Sequence, residues 1–97
     1  MSECIDVMEG VVNNVKSINE YWLLTSLAEY IYLYVLVRGC VAEFDVTDIT
    51  RKQVTLVIMI KCRDGVEVGR VYVKGKVVVR KHSILFKPVE TSAVKRG

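Results

Sequence analysis

One proline, one histidine, one tryptophan and one glutamine are scattered through 97 residues. With so little proline and only six glycines, the connections between elements should be short. A lone histidine, and three cysteines with no C-x-x-C pair among them, exclude the usual zinc frameworks. The glycines at 65, 69 and 75 lack the strand-to-helix setting of a phosphate cradle and read as punctuation for turns and a bulge. No basic, apolar and small-residue succession of a signal peptide is present, because Met1 is followed by Glu3 and Asp6.

Cysteine is scarce in a way that matters. Cys4, Cys40 and Cys62 are odd in number and widely spaced, a poor disulfide framework. The expectation is three small buried hydrophobes in a reducing, cytoplasmic setting, with no metal and no cofactor. Long apolar runs are equally rare. The single one, Tyr21 to Val37, falls short of the roughly 20 residues that a membrane span requires. Its central Glu29 would be costly in lipid, so no membrane partner is expected.

What the chain does contain is β-branched. Nineteen valines and seven isoleucines favour pleated sheet, and 52% hydrophobic with 26% charged residues marks a globular domain. High Val and Ile with little Asn and Gln also suggests a thermophilic source. The first segment, Ser2 to Lys16, repeats apolar residues at Ile5, Met8, Val12 and Val15, the rhythm of an amphipathic helix. Ser2 would cap it, with Glu3 and Asp6 in the first turn and Gly10 as a mid-helix weakness. Ser17-Ile18-Asn19-Glu20 fits a capping box and predicts that a second helix begins there and continues through Trp22, Leu23 and Leu24. Alternation of Tyr30, Tyr32 and Tyr34 with Ile31, Leu33 and Val35 also fits a strand. Helix to about Arg38, stopped by Gly39, is the preferred reading.

From Val41 onward the pattern is β. Strands are expected over Val41–Val46, Gln53–Arg63, Val66–Val73, Val77–Arg80 and Ile84–Lys87. Asp64-Gly65 predicts a hairpin, Gly69 a bulge, and Val73-Lys74-Gly75 a second hairpin. Pro88 is expected to close the sheet, leaving residues 89–97 as a flexible basic tail beyond a single domain of residues 1–88. The fold class is therefore α+β, two N-terminal helices packed on one face of a mostly antiparallel sheet of four or five strands.

Charge supplies the main functional signal. Residues 1–60 hold four Lys/Arg against eight Asp/Glu, and residues 61–97 hold ten against three. Net charges of −4 and +7 point to a polyanion on the second half. The expected register gathers Arg70, Tyr72, Lys76 and Arg80 on the outer sheet face. Lys61 and Arg63 lie on the neighbouring strand, and Lys81 at the adjoining turn. That is a set of phosphate contacts around a stacking ring, for DNA or RNA. Excess apolar surface on the second helix and long strand suggests a homodimer, with Leu27, Val57 and Met59 at the interface. The expectation is a small non-enzymatic binding protein that meets nucleic acid through a basic sheet face. The alternative is a homodimeric structural or adaptor protein. His82 beside Ser83 lacks an orienting acid and reads as a surface pair. Glu43 and Asp45 read as solubilising charges.

Overall fold

Helix α1 spans Ser2–Lys16 and turns one stripe inward. Cys4, Val7, Met8, Val11 and Val15 are buried, while Asp6, Glu9 and Asn13 are exposed. The stripe is centred slightly off the expected one, with Ile5 and Val12 at its margins rather than its middle. Lys16 in the last turn complements the helix dipole. The computed structural model describes residues 2–18 and 20–96, without the side chains of Ser2 and Glu3. The expected Ser2 cap, and Asn19 of the expected capping box, lie outside it.

The second helix begins later than the capping box implies. Ser17 turns back and donates its hydroxyl hydrogen to the Asn14 carbonyl at 2.8 Å, so it closes α1 instead of opening α2. Tyr21 then lies along a strand: its N–H and carbonyl exchange hydrogen bonds with Phe86, both 2.8 Å. Helix α2 runs Leu24–Val37, preceded by Leu23 at φ 78°, with no side-chain cap. Edge pairing to Phe86 outcompetes the local cap because it satisfies a donor and an acceptor at once. At the other end the reading from sequence holds. Gly39 adopts φ +83°. Its N–H reaches the Leu36 carbonyl and that of Cys40 reaches Val35, a Schellman motif.

Four strands follow, β1 Val41–Thr47, β2 Gln53–Lys61, β3 Glu67–Val79 and β4 Ile84–Lys95, in the spatial order β1-β2-β3-β4 and all antiparallel. Both helices pack on one face. Leu27, Ile31 and Val35 of α2 join Met8, Val11 and Val15 over Leu56, Ile58, Ile60, Val71, Val73 and Phe86. Burying each such aliphatic or aromatic side chain contributes roughly 1.5–3 kcal/mol. Among the described residues no helix is long and apolar enough to cross a membrane.

The Asp64-Gly65 hairpin is present. Gly65 has φ +91°, and Asp64 Oδ1 accepts the Val66 N–H at 3.0 Å. A bulge also lies where expected to within one residue, with Val68 the extra residue between the Ile60–Gly69 and Lys61–Glu67 pairs. The second expected hairpin is absent. Chain 66–80 does not fold back at Lys74-Gly75, and β3 passes straight through. Gly75 is a packing glycine: a Cβ there would run onto the buried Phe86 ring and within 2.7 Å of the Lys87 carbonyl oxygen. The chain reverses at Arg80–Ser83, the turn expected between Arg80 and Ile84, where the Arg80 N–H meets the Ser83 carbonyl at 2.8 Å.

Nor does Pro88 end the sheet. It faces Gly75 where the register shifts, and Val89 is the extra residue, so the missing N–H falls at a bulge. Most of residues 89–97, read from sequence as a fraying tail, form the second half of β4, in which Glu90–Lys95 pair with Gly69–Lys74.

The expectation of unpaired cysteines is also corrected. Cys4, in the first turn of α1, and Cys40, just past the Schellman turn, form a disulfide with Cα atoms 6.0 Å apart; Cys62 is free. Spacing along the chain could not reveal this, because the packing of α2 beside α1 brings the two together. The pairing also removes the argument from cysteine number to a reducing compartment. In the chain-entropy account a link across 36 residues stabilises by roughly 4 kcal/mol. Reduction, or the Cys4→Ser/Cys40→Ser pair, should lower the urea midpoint by an amount worth about 2–4 kcal/mol, with an m-value equal to or above that of the linked protein because the released chain exposes more surface on unfolding. Equal midpoints with and without reductant would show that the link adds nothing to the fold.

Candidate nucleic-acid interface

Because β3 is continuous, alternate residues from Arg70 to Val78 point away from the helices. Arg70, Tyr72, Lys74 and Lys76 therefore stand in one row. The expectation that Arg70, Tyr72 and Lys76 share a face holds, although the hairpin invoked to explain it does not exist. Lys87 of β4 is the cross-strand partner of Lys76, and Gln53 of β2 flanks it on the other side. Lys74, Lys76 and Lys87 are exposed, and among the described residues none has an ion-pair partner.

Other members of the expected patch are engaged. Lys61 pairs with Glu43 of β1. Arg80 reaches Glu20 at 3.3 Å. Arg70 is held by Glu67 through Nε at 2.9 Å and Nη2 at 3.2 Å, and Arg96 takes the same carboxylate at 3.2 Å. The Arg70 hydrogen bond, helped by Arg96 and opposed by burial, holds the Glu67 carboxyl below its ordinary value. Glu67 in turn raises Arg70. Arg63 lies at the β2–β3 turn and Lys81 in the β3–β4 loop, at opposite ends of the strand. The structure thus brings Tyr72 and Lys76 together with Lys74 and Lys87, which sequence reasoning missed. Lys74 was lost to a turn that does not form, and Lys87 to a strand assumed to stop beside it.

The residues expected at a dimer interface divide differently. Leu27 is fully buried in the chain's own core. Val57 stands on the outer face between Asp45 and Tyr72, yet is 5% exposed, and Met59 is half-buried. Neighbouring Thr55 is also buried, its hydroxyl without a protein partner among the described residues. Exposed apolar surface lies elsewhere. On α2, Tyr32 and Leu33 line a shallow groove of about 410 Å³ with Phe44 and Glu29. At the far end, Trp22, Leu23, Val79 and Ile84 surround a larger cleft of about 660 Å³ beside the Arg80–Ser83 loop. Trp22 is 77% exposed, where the sequence pattern had placed it inside a helix. His82 and Ser83 belong to this cleft, and among the described residues no carboxylate lines it.

The Glu67 contacts make a pH prediction. A folded-state value below the ordinary 4.5 means that the pairing stabilises fully above about 4.5 and is lost as the pH falls through the lowered folded value. Glu67→Gln should therefore unfold at lower denaturant than the parent at pH 7, and the gap should close on acidification below that range. A gap independent of pH would show that the carboxylate charge is not what matters.

Comparison of the chain with protein-family models, with curated proteins and with solved structures finds no match.

Proposed function

We propose that this chain is a non-enzymatic nucleic-acid-binding protein that meets phosphates with the outer face of its sheet. The observation that carries the reading is the unpaired trio Lys74, Lys76 and Lys87 beside Tyr72 on a face that no helix covers. Three lysines held on strands present a fixed row of charge, and transfer of each to a phosphate releases condensed counterions. Arg70 and Arg96 border the row and share the one carboxylate of Glu67, which leaves that cluster at +1 against the three charges of the lysines, so the lysines supply most of the attraction. The contacts require no cofactor and favour neither DNA nor RNA.

A second reading is supported by the exposed apolar surface of α2, where Leu33 of the groove is 58% exposed and Val37, one turn on, 80%. A second copy packed there would make the protein a homodimeric assembly module. Because Leu27 is a core residue, the surface probe for this reading is Leu33.

Both readings make measurable claims. Anisotropy of labelled oligonucleotides, titrated between low and moderate salt, should give steeply salt-dependent binding. The Lys74→Ala/Lys76→Ala/Lys87→Ala variant should lower the slope of log K against log salt by about 3. Absence of binding at the lower salt would overturn the proposal. For the second reading, sedimentation equilibrium should find dimers that Leu33→Asp dissociates, and a monomeric parent would eliminate it.

A further inference from the structure

The outer-face lysines account for attraction to any polyanion, but not for the cleft at the hairpin tip. There the β3–β4 hairpin extends beyond β2, whose last pair is Gln53 with Lys76, and Tyr21 is clamped to Phe86. Clamping Tyr21 throws the next residue outward. Trp22 is left 77% exposed against Val79, which is 75% exposed, and Ile84, which is 47% exposed. An indole and two aliphatic side chains thus face a recess of about 660 Å³ whose rim carries Arg80, Lys81 and His82. That volume is in the range of small-ligand sites.

We propose that this cleft takes an unpaired base of single-stranded nucleic acid, stacked on Trp22, with the adjacent phosphates on Arg80 and Lys81. The proposal rests on the nucleic-acid reading above and names the ligand's form. A flat apolar ring needs an aromatic face and aliphatic walls, and its backbone needs cations at the rim; the cleft has both. Arg80 follows Lys76 by about 13 Å of extended chain on the outer face. Val79 and Ile84 lie on the opposite, helix-side face, in line with Val77 and Phe86, so one strand reaches the cleft from the lysine row by passing round the hairpin tip, where Arg80 and Lys81 stand. The Arg80–Glu20 pair is more than half exposed at the guanidinium, and such a pair exchanges readily for a phosphate. A blunt duplex keeps its bases stacked and has none to offer.

The alternatives fit less well. Two copies meeting tip to tip would set Arg80, Lys81 and His82 against the same residues of the partner copy, a like-charge contact. A lipid surface is met by a protruding apolar face, whereas these side chains line a recess.

Trp22 is the chain's only tryptophan, so its emission reports on the cleft directly. The parent protein is titrated with a thymidine homopolymer of about 20 nucleotides, which spans any single-domain site size, and with a blunt duplex of equal length. Further samples receive phosphatidylcholine–phosphatidylserine vesicles, or protein alone at rising concentration. Binding is followed in parallel by anisotropy of labelled oligonucleotides. The single strand should quench Trp22, and the duplex should bind without quenching. Trp22→Ala should weaken single-strand binding roughly 5- to 150-fold and spare the duplex, with Trp22→Phe retaining most affinity. The Lys74→Ala/Lys76→Ala/Lys87→Ala variant should weaken both nucleic acids alike. Single-strand binding without quenching, or equal loss on both nucleic acids in Trp22→Ala, would overturn the base cleft while the lysine face stands. A blue shift with vesicles or with protein concentration, together with unchanged Trp22 emission on adding single strand, would overturn it in favour of a lipid surface or a second copy. No binding of either nucleic acid would remove both proposals together.

Discussion

Phe86 is the residue on which the arrangement of the functional surfaces depends. Its ring lies over Gly75, and its backbone takes both hydrogen bonds of Tyr21. The first contact requires that position 75 have no side chain, which places a glycine in mid-strand and lets β3 run uninterrupted from Glu67 to Val79. The second ties the connection between the helices to β4 and delays α2 until Leu24. A fully buried phenylalanine contributes roughly 1.5–3 kcal/mol, more than the 1 kcal/mol or so by which glycine weakens a strand or helix. The exchange therefore favours the long strand. Both candidate surfaces follow from it: the lysine row because β3 does not turn, and the Trp22 cleft because Tyr21 does not enter a helix.

Electrostatics then decides which cations remain available. The two halves of the chain differ in charge, and the sheet order places the acidic β1 at one edge and the basic β3 and β4 at the other. Lys61 lies next to β1 and is neutralised by Glu43, and Glu67 binds two arginines through one carboxylate. Among the described residues Lys74, Lys76 and Lys87, farther along β3 and β4, escape such pairing, as do Arg63 and Lys81 at the two ends of β3. The positive patch is thus narrower than a count of Lys and Arg suggests, but it is more sharply placed.

Rigidity comes from the opposite face. The Cys4–Cys40 link ties α1 to the end of α2. Gly10 of α1 lies against Tyr34 of α2, Tyr30 donates to Asn14 at 3.0 Å, and the Arg38 guanidinium covers the Tyr34 ring at 3.6 Å. Gly10, a weak point for an isolated helix, is explained by that close approach. Helices locked in this way support the sheet from one side and leave its outer face open, the division of labour expected when a rigid scaffold presents a binding surface.

Local chemistry decided a good part of this in the sequence itself. The α+β class, the amphipathic α1, the Gly39 stop, the Asp64-Gly65 turn and the Val68–Gly69 irregularity all rest on periodicity or on a backbone preference within a few residues. Charge asymmetry was equally legible, because it is a sum over the chain. Long-range contacts decided the rest. Ser17 met the sequence requirement for a cap and lost it to Tyr21's pairing with a strand 65 residues away. Gly75 had the signature of a turn and became a seat for an aromatic ring, while Pro88 was accommodated by a bulge opposite it. Cys4 found Cys40 only because two helices pack side by side. Leu27, expected at an interface, lies in the core, and Trp22, expected within a helix, precedes it and is exposed. In each case a local preference worth about 1 kcal/mol yielded to burial or pairing worth more, and only the folded chain shows which partner supplied it.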